Sequence, residues 1–141
     1  MTKILNIFTD GGARGNPGPA AIGVYIENEK GEKITEFGKK IGIATNNTAE
    51  YEAVINTLLW VIEHKEELSG VESLNFHLDS ELVCSQINGL FRIKNANLGS
   101  YLFQLRELES KLNLDIYYRH IPRERNKKAD KLVNSALDSR D

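Results

Sequence analysis

Four acidic residues stand where predicted secondary-structure elements begin or end: Asp10, Glu50, Asp79 and Asp130. Asp10 and Asp79 each follow a short apolar run that predicts a buried strand, whereas Glu50 and Asp130 lie in the first turns of predicted helices. If right-handed crossovers make the two strands parallel neighbours, both aspartates emerge at one edge of the sheet. Four converging carboxylates would repel one another unless divalent cations neutralised them. Hard oxygen ligands suit Mg²⁺ or Mn²⁺, and two such ions can catalyse phosphodiester hydrolysis.

Each of these acids also has an ordinary structural interpretation. Asp79 could cap the helix that follows it, and Asp130 could favour the positive end of its own helix. Glu50 could complete a capping box with Asn47, and Asp10 could shape an Asx turn. When each acid is considered alone, its structural interpretation remains open. The presence of all four acids at element ends favours a shared metal site.

Other catalytic patterns are weakly supported by this sequence. Cys84 is the single cysteine, and the three histidines are scattered, so there is no zinc motif. The glycine-rich stretch Thr9–Gly23 lacks the Gly-Lys-Ser/Thr ending of a P-loop. No Ser/His/Asp arrangement indicates a catalytic triad. The acids therefore carry the chemistry.

The elements that must position these acids form a mixed α/β pattern. Short apolar or alternating runs predict strands at Ile4–Phe8, Ile22–Ile26, Ile34–Ile41, Ser73–Leu78 and Leu114–Ile121. Helical spacing predicts a long helix from Asn46-Asn47-Thr48 to about Leu68, a short helix closing at Asn88-Gly89, a helix carrying Leu98 to Leu112, and a final helix carrying Ala129 to Leu137. The sequence thus predicts one compact α/β domain over residues 1–141.

Composition limits the setting in which this domain works. The chain has 141 residues, of which 40% are hydrophobic and 27% charged, as in ordinary globular proteins. No run approaches the roughly 20 apolar residues of a membrane span, and a single cysteine cannot form an internal disulfide. We therefore expect a cytoplasmic protein with no membrane or disulfide partner, and a monomer by default. A basic cluster lies between Arg119 and Lys131, although the net charge is −2.

The sequence resembles type 1 ribonuclease H, in a form without the basic protrusion. The motifs that carry the resemblance are TDGGARGNPGPAAIG around Asp10, ATNNTAEYEAV around Glu50, FHLDSELV around Asp79 and RHIPRERNKKADKLVN around Asp130. It extends from about Lys3 to Leu137. It implies a ribonuclease H-like five-stranded mixed sheet in the order 3-2-1-4-5, flanked by helices on both faces. It also implies cleavage of the RNA strand of RNA–DNA hybrids by two-metal-ion hydrolysis with Mg²⁺ or Mn²⁺.

The resemblance also implies roles for individual residues. The four acids match the family's metal-binding and catalytic carboxylates, and His120 matches a histidine that assists proton traffic and product departure. Matching positions predict contacts with the hybrid from Gly11, Gly12, Asn16, Thr45, Asn46 and Asn47, with Thr45 on a DNA phosphate. Small residues and amides can tell RNA from DNA, because only RNA offers a 2′-hydroxyl. Arg92 and Lys94 stand in the short linker that replaces the protrusion, so we expect weaker and more salt-sensitive binding.

Two other functions remain compatible with the sequence. The chain could be a different metal-dependent nuclease on the same fold, cutting double-stranded RNA or junctions. It could also be a non-catalytic module that binds nucleic acid. The complete set of four acids argues against the second alternative, because a pure binder gains nothing from a negative crevice that faces phosphates.

Overall fold

A single sheet of five strands forms the centre of the computed structural model, which describes residues 1–140. The strands are β1 (Ile4–Ala13), β2 (Gly18–Asn28), β3 (Lys33–Ala44), β4 (Ser73–Leu78) and β5 (Asp115–His120). β2 pairs antiparallel with both β1 and β3, whereas β4 lies parallel to β1 and β5 lies parallel to β4. The resulting order, β3-β2-β1-β4-β5, confirms the mixed sheet that was predicted.

Helices cover both faces of this sheet, as predicted. They are α1 (Asn46–Glu63), α2 (Glu81–Ile87), α3 (Ala96–Ser110) and α4 (Lys127–Asp138), with a short 3₁₀ turn at Arg123–Arg125. Successive residues of a strand point to opposite faces. Accordingly Gly11 of β1 lies against α1, while Gly23, which pairs with the preceding residue Asp10, lies against α4. None of these helices is long and apolar enough to cross a bilayer.

The main core lies between the sheet and α1. Alternate residues of β4, Leu74, Phe76 and Leu78, are fully buried there, which confirms the alternating pattern of that strand. Cys84, the single cysteine, is buried on α2 in the same core. Trp60 is partly buried at the core margin and stacks on His64 with ring centroids 4.3 Å apart. We therefore assign Cys84 and Trp60 to packing and not to catalysis.

Several element boundaries differ from the predicted ones. α1 ends at Glu63, because the chain leaves helical geometry at His64 and continues in turns to Gly70. α3 ends at Ser110, so Leu112 packs into the core from beyond the helix. α4 begins two residues before Ala129. These shifts follow from local turns, which hydrophobic spacing does not report.

The most consequential difference concerns the end of β1. The apolar run stops at Phe8, but the strand continues through the glycines to Ala13, because β2 continues to pair with it as far as Ala20. Asp10 therefore lies inside a strand and not in a loop after one. The parallel pairing with β4 does end near it, at Thr9 opposite Leu78.

Gly11 is the point at which β1 approaches α1 most closely. A Cβ atom at this position would lie 2.2 Å from the backbone carbon and oxygen of Ala49. We expect Gly11→Ala to lower the free energy of unfolding by about 3 kcal/mol, because the strand or the helix must move apart. Urea unfolding followed by circular dichroism measures this change.

Gly99 provides the matched control for that substitution. It lies within α3, and a Cβ there would meet nothing within 4 Å. Gly99→Ala should therefore raise the free energy of unfolding by about 0.5–1 kcal/mol through helix propensity. An unchanged urea midpoint for Gly11→Ala would contradict the close packing of β1 on α1.

Candidate active site

Three of the four acids lie together at one edge of the sheet. Asp10, Glu50 and Asp79 each offer a carboxylate oxygen, and these oxygens lie within 4.8 Å of one another. Two of the acids come together because β1 and β4 are parallel neighbours whose pairing ends one residue before each aspartate. The third, Glu50, enters from α1, just beyond its first turn. A group of oxygens this close can hold a divalent metal ion.

Glu50 owes its position to the way α1 begins. Thr45 caps the helix, since its hydroxyl accepts a hydrogen bond from the Thr48 amide at 3.1 Å. The capping box with Asn47 considered from the sequence is therefore wrong. The Glu50 carboxylate instead accepts a hydrogen bond from the Gly11 amide at 3.0 Å through Oε1. Its other oxygen, Oε2, is buried without a hydrogen-bond partner among residues 1–140.

The electrostatics of Asp10 and Glu50 reflect their burial. Asp10 is 8% exposed, and burial, reinforced by the charges of Asp79 and Asp130, raises its pKa from the usual 3.8 to about 7. Burial and the nearby Asp10 charge raise the pKa of Glu50 well above its usual value. A hydrogen bond between the two carboxyl groups offsets part of the rise at Asp10. Both carboxyl groups therefore bind protons more tightly than free carboxyl groups, and a bound cation would favour their ionised forms.

Asp79 is half-buried at the end of β4, directly before α2. The cap of α2 is Ser80, whose hydroxyl accepts a hydrogen bond from the Val83 amide at 3.2 Å. The helix-capping interpretation of Asp79 is therefore wrong. Its carboxylate faces Asp10 and Glu50 instead.

Asp130 lies in the first turn of α4 and is exposed. It stands outside the group of three whose oxygens lie within 4.8 Å of one another. Its charge nevertheless raises the pKa of Asp10, so it lies at the margin of the same cluster. Asn134 donates a hydrogen bond to its carboxylate at 3.4 Å. The structure thus brings three acids together and leaves the fourth at the solvent side.

Asn126 is a residue of this site that the sequence analysis missed. It is completely buried, and its Nδ2 group donates hydrogen bonds to the Thr9 carbonyl at 2.8 Å and to Asp79 Oδ2 at 2.9 Å. The surrounding segment is strongly charged and predicted only an exposed loop. The one available signal is a lone asparagine directly before the amphipathic pattern of the last helix.

The asparagines assigned to hybrid binding form a small network beside the acids. Asn16 Oδ1 accepts a hydrogen bond from the Asn46 amide, and Asn46 Oδ1 accepts one from the Ala13 amide, each at 2.9 Å. Because Thr45 is the cap, neither Asn46 nor Asn47 caps α1. Asn47 is half-buried in the first turn of α1, and Gly12 is half-buried near the end of β1. These residues lie on or next to the same two elements, β1 and α1, that carry Asp10 and Glu50.

The remaining predicted residues lie on other elements. His120 is exposed at the end of β5, where it pairs with Leu78, the residue before Asp79. Arg92 and Lys94 are exposed in the connection between α2 and α3, which contains no helix. No contact joins them to the carboxylates among the described residues. The basic side chains from Arg119 to Lys131 are also exposed.

Known proteins resemble this chain in both sequence and fold. The family model described as "Reverse transcriptase-like" matches residues 8–136. The ribonuclease HI of Halobacterium salinarum is 37% identical over 134 residues, which cover 95% of this chain and 64% of that protein. The solved structure of LC11-RNase H1 in complex with an RNA/DNA hybrid is 41% identical and superimposes with a TM-score of 0.89, covering 95% of this chain and 96% of that one.

Some relatives are considerably longer than this chain. The bifunctional protein Rv2228c of Mycobacterium tuberculosis is 37% identical over 134 residues, which cover 94% of this chain but 35% of that protein. The chain thus spans less than two thirds of both the archaeal and the mycobacterial relative. The matches nevertheless extend over nearly the whole chain, including every element that carries an acid. The chain belongs to the type 1 ribonuclease H family.

Proposed function

We propose that the chain is an endoribonuclease that cleaves the RNA strand of RNA–DNA hybrids, using two divalent ions, Mg²⁺ or Mn²⁺. The observation that carries this proposal is the convergence of Asp10, Glu50 and Asp79 at one edge of the sheet. The similarity to LC11-RNase H1, which was solved in complex with an RNA/DNA hybrid, supports the choice of substrate. We also propose that residues 1–141 act as one catalytic domain and as a monomer.

The acids fit divalent ions on their own chemistry. Three carboxylates supply only oxygen ligands, and the buried Glu50 Oε2 is unpartnered. The raised pKa values of Asp10 and Glu50 show that the pair is costly to ionise without a cation. Asp10, Glu50, Asp79 and Asp130 would hold the ions. When bound, such ions activate a water molecule and stabilise the leaving oxygen of a phosphodiester.

The side chains around the acids would recognise the hybrid. Asn16 and Asn46 are fixed to each other and to β1, so a nucleic-acid strand would meet a pre-ordered polar surface. Together with Gly12 and Asn47 they offer amides and little bulk, which suits contact with a ribose 2′-hydroxyl. The Gly11 amide is already bonded to Glu50. We propose that Thr45 contacts the DNA backbone, and that His120 moves protons during product departure. Arg92 and Lys94 would add salt-sensitive contacts with phosphates.

A comparison of labelled substrates tests the proposed function. The purified chain is mixed with an RNA–DNA hybrid, double-stranded RNA and double-stranded DNA of one sequence, in Mg²⁺ and in Mn²⁺. We expect cleavage confined to the RNA strand of the hybrid, at least about 100-fold faster than cleavage of either other duplex, since each lost 2′-hydroxyl or shape contact removes binding energy at the reacting strand. Samples with EDTA should show no cleavage.

Two other outcomes would redirect the assignment. Preferential cutting of double-stranded RNA or of DNA would identify a different metal-dependent nuclease on the same fold. Tight binding of the hybrid without cleavage in either metal would identify a binding module. Both outcomes contradict the proposed function.

A further inference from the structure

Asn126 connects three of the elements that carry the proposed metal-binding acids. Its side chain bridges Thr9, within β1, and Asp79, directly after β4, and its backbone lies directly before α4. One Nδ2 hydrogen bond reaches the carbonyl of Thr9, the residue before Asp10, at 2.8 Å. The other reaches Asp79 Oδ2 at 2.9 Å. One amide group therefore spans the parallel pair of strands at the point where both aspartates emerge.

The backbone of Asn126 extends this connection to the fourth acid. Its carbonyl accepts the first helical hydrogen bond of α4, from the Asp130 amide at 3.1 Å. Any displacement of Asn126 would therefore move the start of α4, and with it Asp130, relative to the strands. The single residue fixes the relative positions of Asp10, Asp79 and Asp130.

Helix capping does not explain why Asn126 is present. An asparagine that caps a helix has extended backbone geometry, and its side-chain oxygen accepts a hydrogen bond from the first turn. Asn126 has a ψ of 28° and makes no side-chain capping bond. Its Oδ1 is buried and unpartnered among the described residues. A buried polar group left unpaired lowers stability. The orientation of the Asn126 side chain therefore favours the two Nδ2 hydrogen bonds over a capping bond to α4.

The hydrogen bond to Asp79 also limits how that carboxylate can turn. A charge-assisted bond to Oδ2 restricts the rotation of this carboxylate, which also offers an oxygen within 4.8 Å of those of Asp10 and Glu50. Partners that orient ligating carboxylates commonly determine metal affinity as strongly as the geometry of the ligands themselves. Because four negative groups repel one another, this orientation must be imposed from outside the cluster.

We propose that Asn126 is a positioning residue that sets the orientation of Asp79 and the spacing of the acids for divalent-ion binding. The inference rests on the proposed function, because it assumes that these acids bind metal. It assigns Asn126 no contact with substrate. Its effect should therefore be seen in metal binding without any nucleic acid present.

Calorimetric titration with Mn²⁺, without nucleic acid, tests this role. We expect Asn126→Ala to bind Mn²⁺ about 10- to 100-fold more weakly than the unsubstituted chain. Gln86→Ala is the matched control: Gln86 is also a buried amide, and it accepts a hydrogen bond from Tyr51 at 2.8 Å in the core. It should lose stability but bind Mn²⁺ normally. Raising the Mg²⁺ concentration should restore the cleavage activity of Asn126→Ala.

The possible results separate this inference from the proposed function. Equal Mn²⁺ affinity of Asn126→Ala and the unsubstituted chain would overturn the positioning role alone. Equal weakening by Gln86→Ala would overturn it as well, because the loss would then be one of general stability. Failure of the unsubstituted chain to bind Mn²⁺ would overturn the proposed function, and the positioning role with it.

A measurement on the unsubstituted chain covers the case in which Asn126→Ala does not fold. Nuclear magnetic resonance can follow the side-chain amide of Asn126 during a Mg²⁺ titration. We expect its two proton resonances to shift as the site fills and to stay protected from exchange, because both hydrogen bonds persist. Resonances that do not move at saturating Mg²⁺ would overturn the inference.

Discussion

Replacing Asp10 with asparagine is expected to lower the rate of hybrid cleavage by more than about 1,000-fold while the chain stays folded. Asp10 is the acid that lies within the central strand, close to both Glu50 and Asp79. Under the proposed function, loss of its charge removes a metal ligand from the centre of the cluster, and metal ions supply several kcal/mol of transition-state stabilisation. Single-turnover cleavage of a labelled hybrid in Mg²⁺ measures the loss.

Asp115→Asn is the matched control for Asp10→Asn. Asp115 is an exposed acid at the start of β5, opposite Ser73 and thus at the other end of the sheet from Asp79. The control should cleave at the rate of the unsubstituted chain, and both variants should keep the same circular dichroism spectrum. Cleavage by Asp10→Asn at more than a tenth of the unsubstituted rate would contradict the role assigned to Asp10.

Without divalent ions, the unsubstituted chain is expected to lose stability relative to Asp10→Asn as the pH rises from about 4 to about 7. The pKa of Asp10 is about 7 in the folded chain and near 3.8 in the unfolded chain, so the folded state binds the proton more tightly. Stability from that proton is present below pH 4 and disappears as the pH passes through the folded pKa. The difference should reach on the order of 2–4 kcal/mol.

Mg²⁺ should reverse this loss. An ion that binds only the folded chain stabilises it in proportion to the logarithm of its concentration above the dissociation constant. Urea midpoints of both proteins, measured from pH 4 to pH 8 with EDTA or with Mg²⁺, give the comparison. A difference between the two proteins that is independent of pH in EDTA would show that Asp10 titrates normally, contrary to the buried cluster.

The sequence predicted the fold well because its strongest signals concern burial. The alternation in Ser73–Leu78 and the apolar stripe of α1 reflect contact with the main core, and the structure confirms both. The third strand lies at a sheet edge and pairs only with β2, in agreement with the order 3-2-1-4-5 that the resemblance implied. The acids Asp10 and Asp79 were expected side by side, because parallel neighbouring strands end at one edge.

The details that the sequence did not predict depend on pairing and on single hydrogen bonds. Hydrophobicity ends at Phe8, whereas β1 ends at Ala13, because backbone pairing with β2 needs no apolar side chain. The choice of Thr45 over the neighbouring asparagines as the cap of α1 rests on one bond of 3.1 Å. Asn126 was overlooked for the same reason: a polar residue in a charged segment gives no sign of being completely buried.

The four acids come from β1, α1, β4 and α4, and are separated by long intervals along the chain. No contiguous fragment of the chain that stops before α4 holds all of them. During translation, all four acids are therefore outside the ribosome only after residue 130 has left the exit tunnel. Until then, the nascent polypeptide cannot assemble the full set of carboxylates, so the proposed metal site is completed only late in synthesis.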